Sequence, residues 1–312
     1  MKIIVFDGHT INPGDLSWAP LESFGQVTVY DATAPEDARQ RLGEAEVLIT
    51  SKCPVTREFM AQCPNLKYIG STATGYNNID VKGAASLGIA VTNIPAYSTD
   101  AVAQHTIALI LEITNNVALH NISVKKGEWE NNKYFCYWKK PVSLLAGKSL
   151  GIIGYGQIGK KVGEIAKALG MTINPYSQNE EAAIKSDFLT LHCPLTEENT
   201  HFVNEEFIGK MKENGVLINT ARGNLICQDA LAKALKSGKL RAAALDVLEH
   251  EPPEPGNPLI PLENCFITPH MAWAPKEMRE SIIRILGENL DSFLNGEELN
   301  RVDKQVGCKI VR

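Results

Sequence analysis

One stretch of this sequence limits the possible folds more than any other: KSLGIIGYGQIGKKVGEIAKALG, residues 148–170. It joins a short apolar strand, a Gly-x-Gly-x-x-Gly turn at Gly154, Gly156 and Gly159, and an amphipathic helix ending at Gly170. The three glycines act differently. Gly154 permits the tight turn, Gly156 lets the backbone approach a pyrophosphate, and Gly159 lets the helix pack closely on a sheet. The amides of Gln157 and Ile158 then point from the helix N-terminus toward the phosphates. A bare glycine pattern means little; the strand before it and the helix after it make it a dinucleotide-binding signature.

Such a turn needs a parallel sheet around it, and the rest of the chain supplies the pattern. Lys2 to Phe6, Val27 to Tyr30, Val47 to Thr50, Lys67 to Gly70 and Ala90 to Asn93 read as buried strands alternating with helical segments. A second series runs through Leu150–Gly154, Met171–Tyr176, Phe188–His192, Val216–Thr220, Ala242–Val247 and Cys265–Thr268. This rhythm predicts an α/β protein of two doubly wound parallel-sheet domains. Between the series, a helix is expected over Thr99–Asn116, opened by Ser98 and with an apolar surface wide enough to be wedged between domains. Lys125–Lys148 reads as a connecting region, Lys276–Leu294 as a last amphipathic helix, and the basic tail Arg301–Arg312 as returning to the first domain. The expected organisation is a discontinuous domain of residues 1–98 plus 281–312 and a nucleotide domain of residues 99–280, with a cleft between them.

The 312 residues carry a formal net charge of −5 with acids and bases interleaved, which gives no basic surface for nucleic acid. The apolar stretch around Ile107–Ile113 is broken by Glu112 and falls short of the roughly 20 residues that cross a bilayer. MKIIVFDG reads as a core strand rather than a signal peptide, so a cytoplasmic, membrane-free protein is expected. Cysteines at 53, 63, 136, 193, 227, 265 and 308 show no metal-ligand spacing, so reduced thiols and no metal site are expected.

Chemistry gathers where the second series of strands end: Arg222 in NTARGNLI, Glu251 in ALDVLEHEPP and His270 in ITPHMAW. In an open α/β sheet those ends face the ligand crevice. Reducing a 2-keto acid calls for a proton donor, a partner that keeps the donor charged, and a cation for the carboxylate. An imidazole, a carboxylate and a guanidinium meet that need, although each taken alone is as readily structural. At the adenosine end, the acid that usually binds the ribose diol is missing: the second strand runs into Tyr176, Ser177 and Gln178, with Glu180 beyond. No Arg follows to hold a 2′-phosphate, so the choice between NAD and NADP stays open, NAD being slightly favoured.

Taken in order, GYGQIG, LHCPLT, INTARG, ALDVLEHEP and TPH resemble the D-isomer-specific 2-hydroxyacid dehydrogenases over nearly the whole chain. MKIIVFDG, NPGDLSW, STATGYNNID, VTNIPAYSTDAVAQ, FCYW and TPHMAWAP are similar to the glycerate dehydrogenase, or hydroxypyruvate reductase, branch. The resemblance implies a flavodoxin-like substrate domain, a Rossmann nucleotide domain and reduction of hydroxypyruvate or glyoxylate to the D-2-hydroxy acid with NAD(P)H. It implies His270 as acid–base group paired with Glu251, and Arg222 on the substrate carboxylate and carbonyl. Backbone amides around Thr74 and Gly75, with Lys52 in the SKCP turn, would assist the substrate. Cofactor contacts would come from Thr106, the turn at Gly154–Gly159, Ser177, Cys193, Pro194, Thr220, Ala221, Arg222, Asp246 and His270, with Asp246 accepting from the carboxamide.

Two departures affect the adenosine end: Ser177 stands at the acidic position, and the link from Tyr176 to Ser186 is short, which implies a shallow or open adenine pocket. A homodimer is implied, with the helix from Thr99 and the aromatic loop Tyr134–Trp138 as interface candidates. The alternatives are an NAD(H)-binding corepressor-like protein without turnover, and a methyltransferase using the same glycine turn, which leaves Arg222, Glu251 and His270 without a role.

Overall fold

The computed structural model describes residues 1–95 and 97–305; Ala96 and 306–312 fall outside the described residues, and with them Cys308 and the end of the basic tail. The chain separates into two compact units, Met1–Tyr97 with the segment from Ala274 onward, and Ser98–Trp273.

The first unit is built on five strands, β1 (Lys2–Val5), β2 (Gln26–Val29), β3 (Val47–Thr50), β4 (Tyr68–Ser71) and β5 (Ala90–Thr92). They pair in parallel in the order β2-β1-β3-β4-β5, which is flavodoxin-like. Ile3, Leu48, Ile69 and Val91 are almost wholly buried, as expected of strands covered on both faces. Lys276–Leu294 is one continuous helix whose Arg279 pairs with Asp15 at 2.8 Å and donates to the carbonyl of Ile11. The return to this unit, expected from the sequence at residue 281, comes earlier: those contacts bring the chain back at Ala274. Arg301–Val302 lies against β5, where the Asp303 carboxylate accepts the Val91 amide and pairs with Arg301.

The second unit holds β6 (Ser149–Ile153), β7 (Thr172–Pro175), β8 (Phe188–Leu191), β9 (Gly215–Asn219), β10 (Leu240–Leu245) and β11 (Cys265–Ile267). All pairs are parallel, in the order β11-β10-β9-β8-β6-β7. After β7 the chain crosses to the other side of β6, so the switch point, where ligands bind in such sheets, falls between β6 and β8. The expected strands are all present, shifted by a residue or two at their ends.

The helix Thr99–Asn115 lays Ala103, Ile107, Ile110 and Ile113 on Leu150, Ile152, Val216 and Ile218 of the sheet. Its apolar residues therefore contribute to this unit's own core. Ser98 does not cap it by side chain: its backbone (φ −105°, ψ 11°) is not the extended N-cap geometry, and only its carbonyl accepts, from Val102. A second helix unforeseen in the sequence, Val117–Lys125, follows a 57° bend at Asn116, whose φ of +50° breaks the first. Residues 126–148 contain no helix or strand. Among the described residues, no single helix is long and apolar enough to cross a membrane.

Candidate active site

The glycine turn sits at the switch point. Gly154 has φ +92°, and a Cβ there would stand 2.4 Å from the Cys193 amide nitrogen, so the turn also presses against the end of β8. A Cβ on Gly159 would meet the Gly154 carbonyl oxygen at 2.3 Å. Gly156 differs: a Cβ there meets nothing within 4 Å, so its backbone borders open space. It precedes the twelve-residue helix Gln157–Ala168, whose first amides, including those of Gln157 and Ile158, lack intrahelical acceptors. An open glycine under a helix N-terminus fits a dinucleotide pyrophosphate.

At the adenosine side, Tyr176 packs edge-on against Phe202 at 6.0 Å, and burial together with a hydrogen bond to Glu180 pushes its phenol up to about 12. Ser177 is exposed at the strand end. The short link to β8 contains one small helix, Glu180–Ile184, capped by the Asn179 side chain. It rests on β6: a Cβ on Gly151 would come 2.2 Å from the Ala183 carbonyl oxygen.

The three candidate catalytic residues, Arg222, Glu251 and His270, stand on the turns after β9, β10 and β11. His270 Nδ1 lies 2.5 Å from Glu251 Oε2, while Glu251 Oε1 accepts the Leu248 amide at 3.0 Å. With Nδ1–H facing a carboxylate, Nε2 is left as the nitrogen for a substrate. His270 has φ +51°, uncommon for a residue other than glycine, and is held there by its own amide donating to the carbonyl of Asp246 at 2.8 Å.

Asp246, 1% exposed, organises that turn. Its carboxylate accepts from Thr268 Oγ1 at 2.6 Å and from the amides of Met271 and Ala272 at 2.9 Å each, and His105 Nε2 lies 3.4 Å away. Burial works to raise its pKa, but the hydrogen bonds from His105, Thr268 and the two amides outweigh it and hold the carboxyl below its ordinary value.

Arg222 is exposed and extended (φ −142°), with Nη1 donating to the Ala221 carbonyl at 2.7 Å. Its turn is pinned by Asn219, fully buried at the end of β9, which accepts the Ala221 amide at 2.9 Å and donates to the Arg222 carbonyl at 2.8 Å. The next residue, Gly223, packs on the Leu248–Glu249 backbone so closely that a Cβ would overlap the Leu248 carbonyl. Arg222, Glu251 and His270 thus sit on turns joined by direct contact. Behind them Thr106 Oγ1 lies 2.9 Å from Thr220 Oγ1.

In the first unit, the Lys52 amide is one of four groups donating to Asp7 Oδ2, with Thr50 Oγ1 and the amides of Ser51 and Cys53. Thr74 donates its hydroxyl to the Ile94 carbonyl at 2.7 Å, and Asn93 donates to the Thr74 carbonyl. Sequence reasoning missed Asp7, His105, Asn219 and Thr268. All four serve by hydrogen-bonding turns that are distant in sequence or lie beyond a strand end, and no local spacing signals that.

Residues 107–272 match the family model described as D-isomer specific 2-hydroxyacid dehydrogenase, NAD binding domain. The chain belongs to this family, and to its glycerate dehydrogenase and hydroxypyruvate reductase branch. It is 46% identical to the hydroxypyruvate reductase of Blautia hydrogenotrophica, over 97% of this chain and 100% of that protein. Among solved structures, D-lactate dehydrogenase from Aquifex aeolicus, complexed with NAD and lactic acid, superposes with a TM-score of 0.81 at 27% identity, covering 97% of this chain and 99% of that one. An acyclic imino acid reductase in complex with NADPH and D-Arg gives 0.83 at 32% identity, covering 97% and 100%. The chain is therefore an oxidoreductase that uses a nicotinamide cofactor on small 2-keto and 2-hydroxy acids.

Proposed function

We propose that the chain reduces hydroxypyruvate to the D-2-hydroxy acid, and glyoxylate beside it to the corresponding achiral 2-hydroxy acid, with His270 delivering the proton. The observation that carries this reading is the His270–Glu251 pair at 2.5 Å on a strained turn, which leaves Nε2 to face a carbonyl oxygen. As negative charge develops on the carbonyl oxygen, Nε2–H donates to it and Glu251 balances the imidazolium. Arg222 binds the substrate carboxylate and polarises the carbonyl through its fork of donors. The amides of Thr74 and Gly75, and the Lys52 ammonium, are proposed to assist with the carboxylate.

The cofactor would be held by Gly154, Gly156, Gln157, Ile158 and Gly159, whose open turn and helix N-terminus suit its pyrophosphate, together with Ser177, Cys193, Pro194, Thr106, Thr220, Ala221, Arg222, Asp246 and His270, and it would supply the hydride. NAD is favoured over NADP: Glu180 stands beside Tyr176 at the end of β7, where a 2′-phosphate would meet like charge. A homodimer is proposed through the Val117–Lys125 helix and the loop after it, supported by the exposure of Val117 (62%), Phe135 (89%) and Trp138 (66%). The enzyme acts in the cytoplasm, in keeping with free cysteines among the described residues. The related proteins reported above are named as enzymes, so the corepressor-like alternative is not carried further.

The test is NADH and NADPH oxidation with hydroxypyruvate, glyoxylate and pyruvate. The highest kcat/KM is expected for hydroxypyruvate with NADH. Oxidation of neither cofactor by any of the three acids would refute the reading.

A further inference from the structure

We infer that His105 is a positioning residue and, with its neighbour Thr106, sets the separation between the turn that carries Arg222 and the turn that carries His270. The inference rests on the proposed roles of those two groups.

The two turns are built alike. Thr220 is the first residue beyond β9 and stands two before Arg222; Thr268 is the first beyond β11 and stands two before His270. β10 lies between these strands, so the turns start about 10 Å apart, two strand spacings. Consecutive residues of a helix project about 100° apart, so a helix crossing these strand ends can reach both with adjacent side chains. His105 and Thr106 do this: His105 Nε2 lies 2.9 Å from Thr268 Oγ1, and Thr106 Oγ1 lies 2.9 Å from Thr220 Oγ1.

Proton accounting gives each bond a direction. Thr268 donates its hydroxyl proton to Asp246 Oδ1 at 2.6 Å, so its oxygen accepts and His105 carries the proton on Nε2. Thr106 donates its proton to the Val102 carbonyl at 2.8 Å, so Thr220 donates to it. The path from His105 to His270 is short: Thr268 and Asp246 share a hydrogen bond, and Asp246 holds the His270, Met271 and Ala272 amides. Without the His105 donor, Thr268 is free to turn its hydroxyl and the support beneath His270 loosens.

The experiment compares His105→Leu, His105→Gln and Thr106→Val with wild type in two readouts. One is steady-state kinetics with hydroxypyruvate. The other is the proton resonance of the His270 Nδ1–H bonded to Glu251, which does not depend on turnover. In His105→Leu the resonance is expected to broaden or vanish, and kcat to fall by on the order of 100-fold, as for a small misplacement of a reacting group. The NADH dissociation constant should be little changed. His105→Gln, whose amide can still donate to Thr268, should recover most of both signals. Thr106→Val should keep the resonance and act through the Arg222 side, raising KM. Wild-type kcat and resonance in His105→Leu, or equal losses in the Leu and Gln variants, overturns the inference. A wild-type protein that shows the resonance but reduces no keto acid sinks the proposed function, and the positioning role is then decided by the resonance alone.

Discussion

Glu251 divides its two carboxylate oxygens between His270 Nδ1 and the Leu248 amide. The backbone bond fixes the carboxylate, and the carboxylate fixes the imidazole edge that faces outward. The acid–base role proposed for His270 calls for this kind of support, because proton transfer is efficient only from a donor already aimed at its target.

His270→Ala should therefore lose about 100- to 10,000-fold in kcat, while the NADH dissociation constant stays near that of wild type. Glu251→Gln should fall between, since it keeps the shape but not the charge. Stopped-flow reduction alongside fluorescence titration of NADH separates chemistry from binding. Comparable turnover in His270→Ala and wild type rejects the assignment.

For Arg222, both constants should move. Replacement by Ala raises KM for the keto acid and lowers kcat, and Lys restores only part, because an ammonium cannot copy the planar fork. Keto-acid kinetics unaltered in the Ala variant would exclude the role.

The glycine turn offers a matched pair of substitutions. Gly156→Ala should fold normally, because the new methyl meets open space, yet bind NADH more weakly by intruding on the pyrophosphate. Gly154→Ala should instead lose more than about 1 kcal/mol of stability, from its positive φ and the contact with Cys193. Chemical denaturation and cofactor titration of both variants check the contrast; equal stability would be evidence against it.

Asn219→Ala removes the two hydrogen bonds that close the Arg222 turn. A stability loss of about 1–3 kcal/mol is expected for buried groups left unsatisfied. Loss of cofactor binding without loss of stability is the contrary result.

Stability should also fall in mild acid because of His192. Burial pushes its imidazole down to about 3, and its buried Nδ1 has no partner. The unfolded chain takes up this proton near pH 6.5, so between about 6.5 and 3 the unfolded state binds more protons and native stability drops as pH falls. One such proton gives a slope of about 1.4 kcal/mol per pH unit. Urea titrations from pH 7 to 4 should show a shallower slope in His192→Phe; identical slopes would argue against the burial account.

Hydrophobic rhythm and the glycine signature made both sheets legible, because a strand buried on two faces writes an unbroken apolar run. Arg222, Glu251 and His270 could be picked out as candidates too, since each stands in the segment between such a run and the next element. The supporting residues were not. Nothing around His105 marks it as touching Thr268, for that bond depends on how a helix lies across strand ends. The Val117–Lys125 helix hid for a related reason: its exposed Val117, Ile122 and Val124 blur the periodicity that marks a half-buried helix.

The small helix Glu180–Ile184 leaves a lasting mark on the chain. Since the Ala183 carbonyl fills the place a side chain at 151 would take, the two sites can drift only together. A longer link after Tyr176 would release position 151 to bear alanine or serine, and related sequences carrying such residues there should show an insertion in that link.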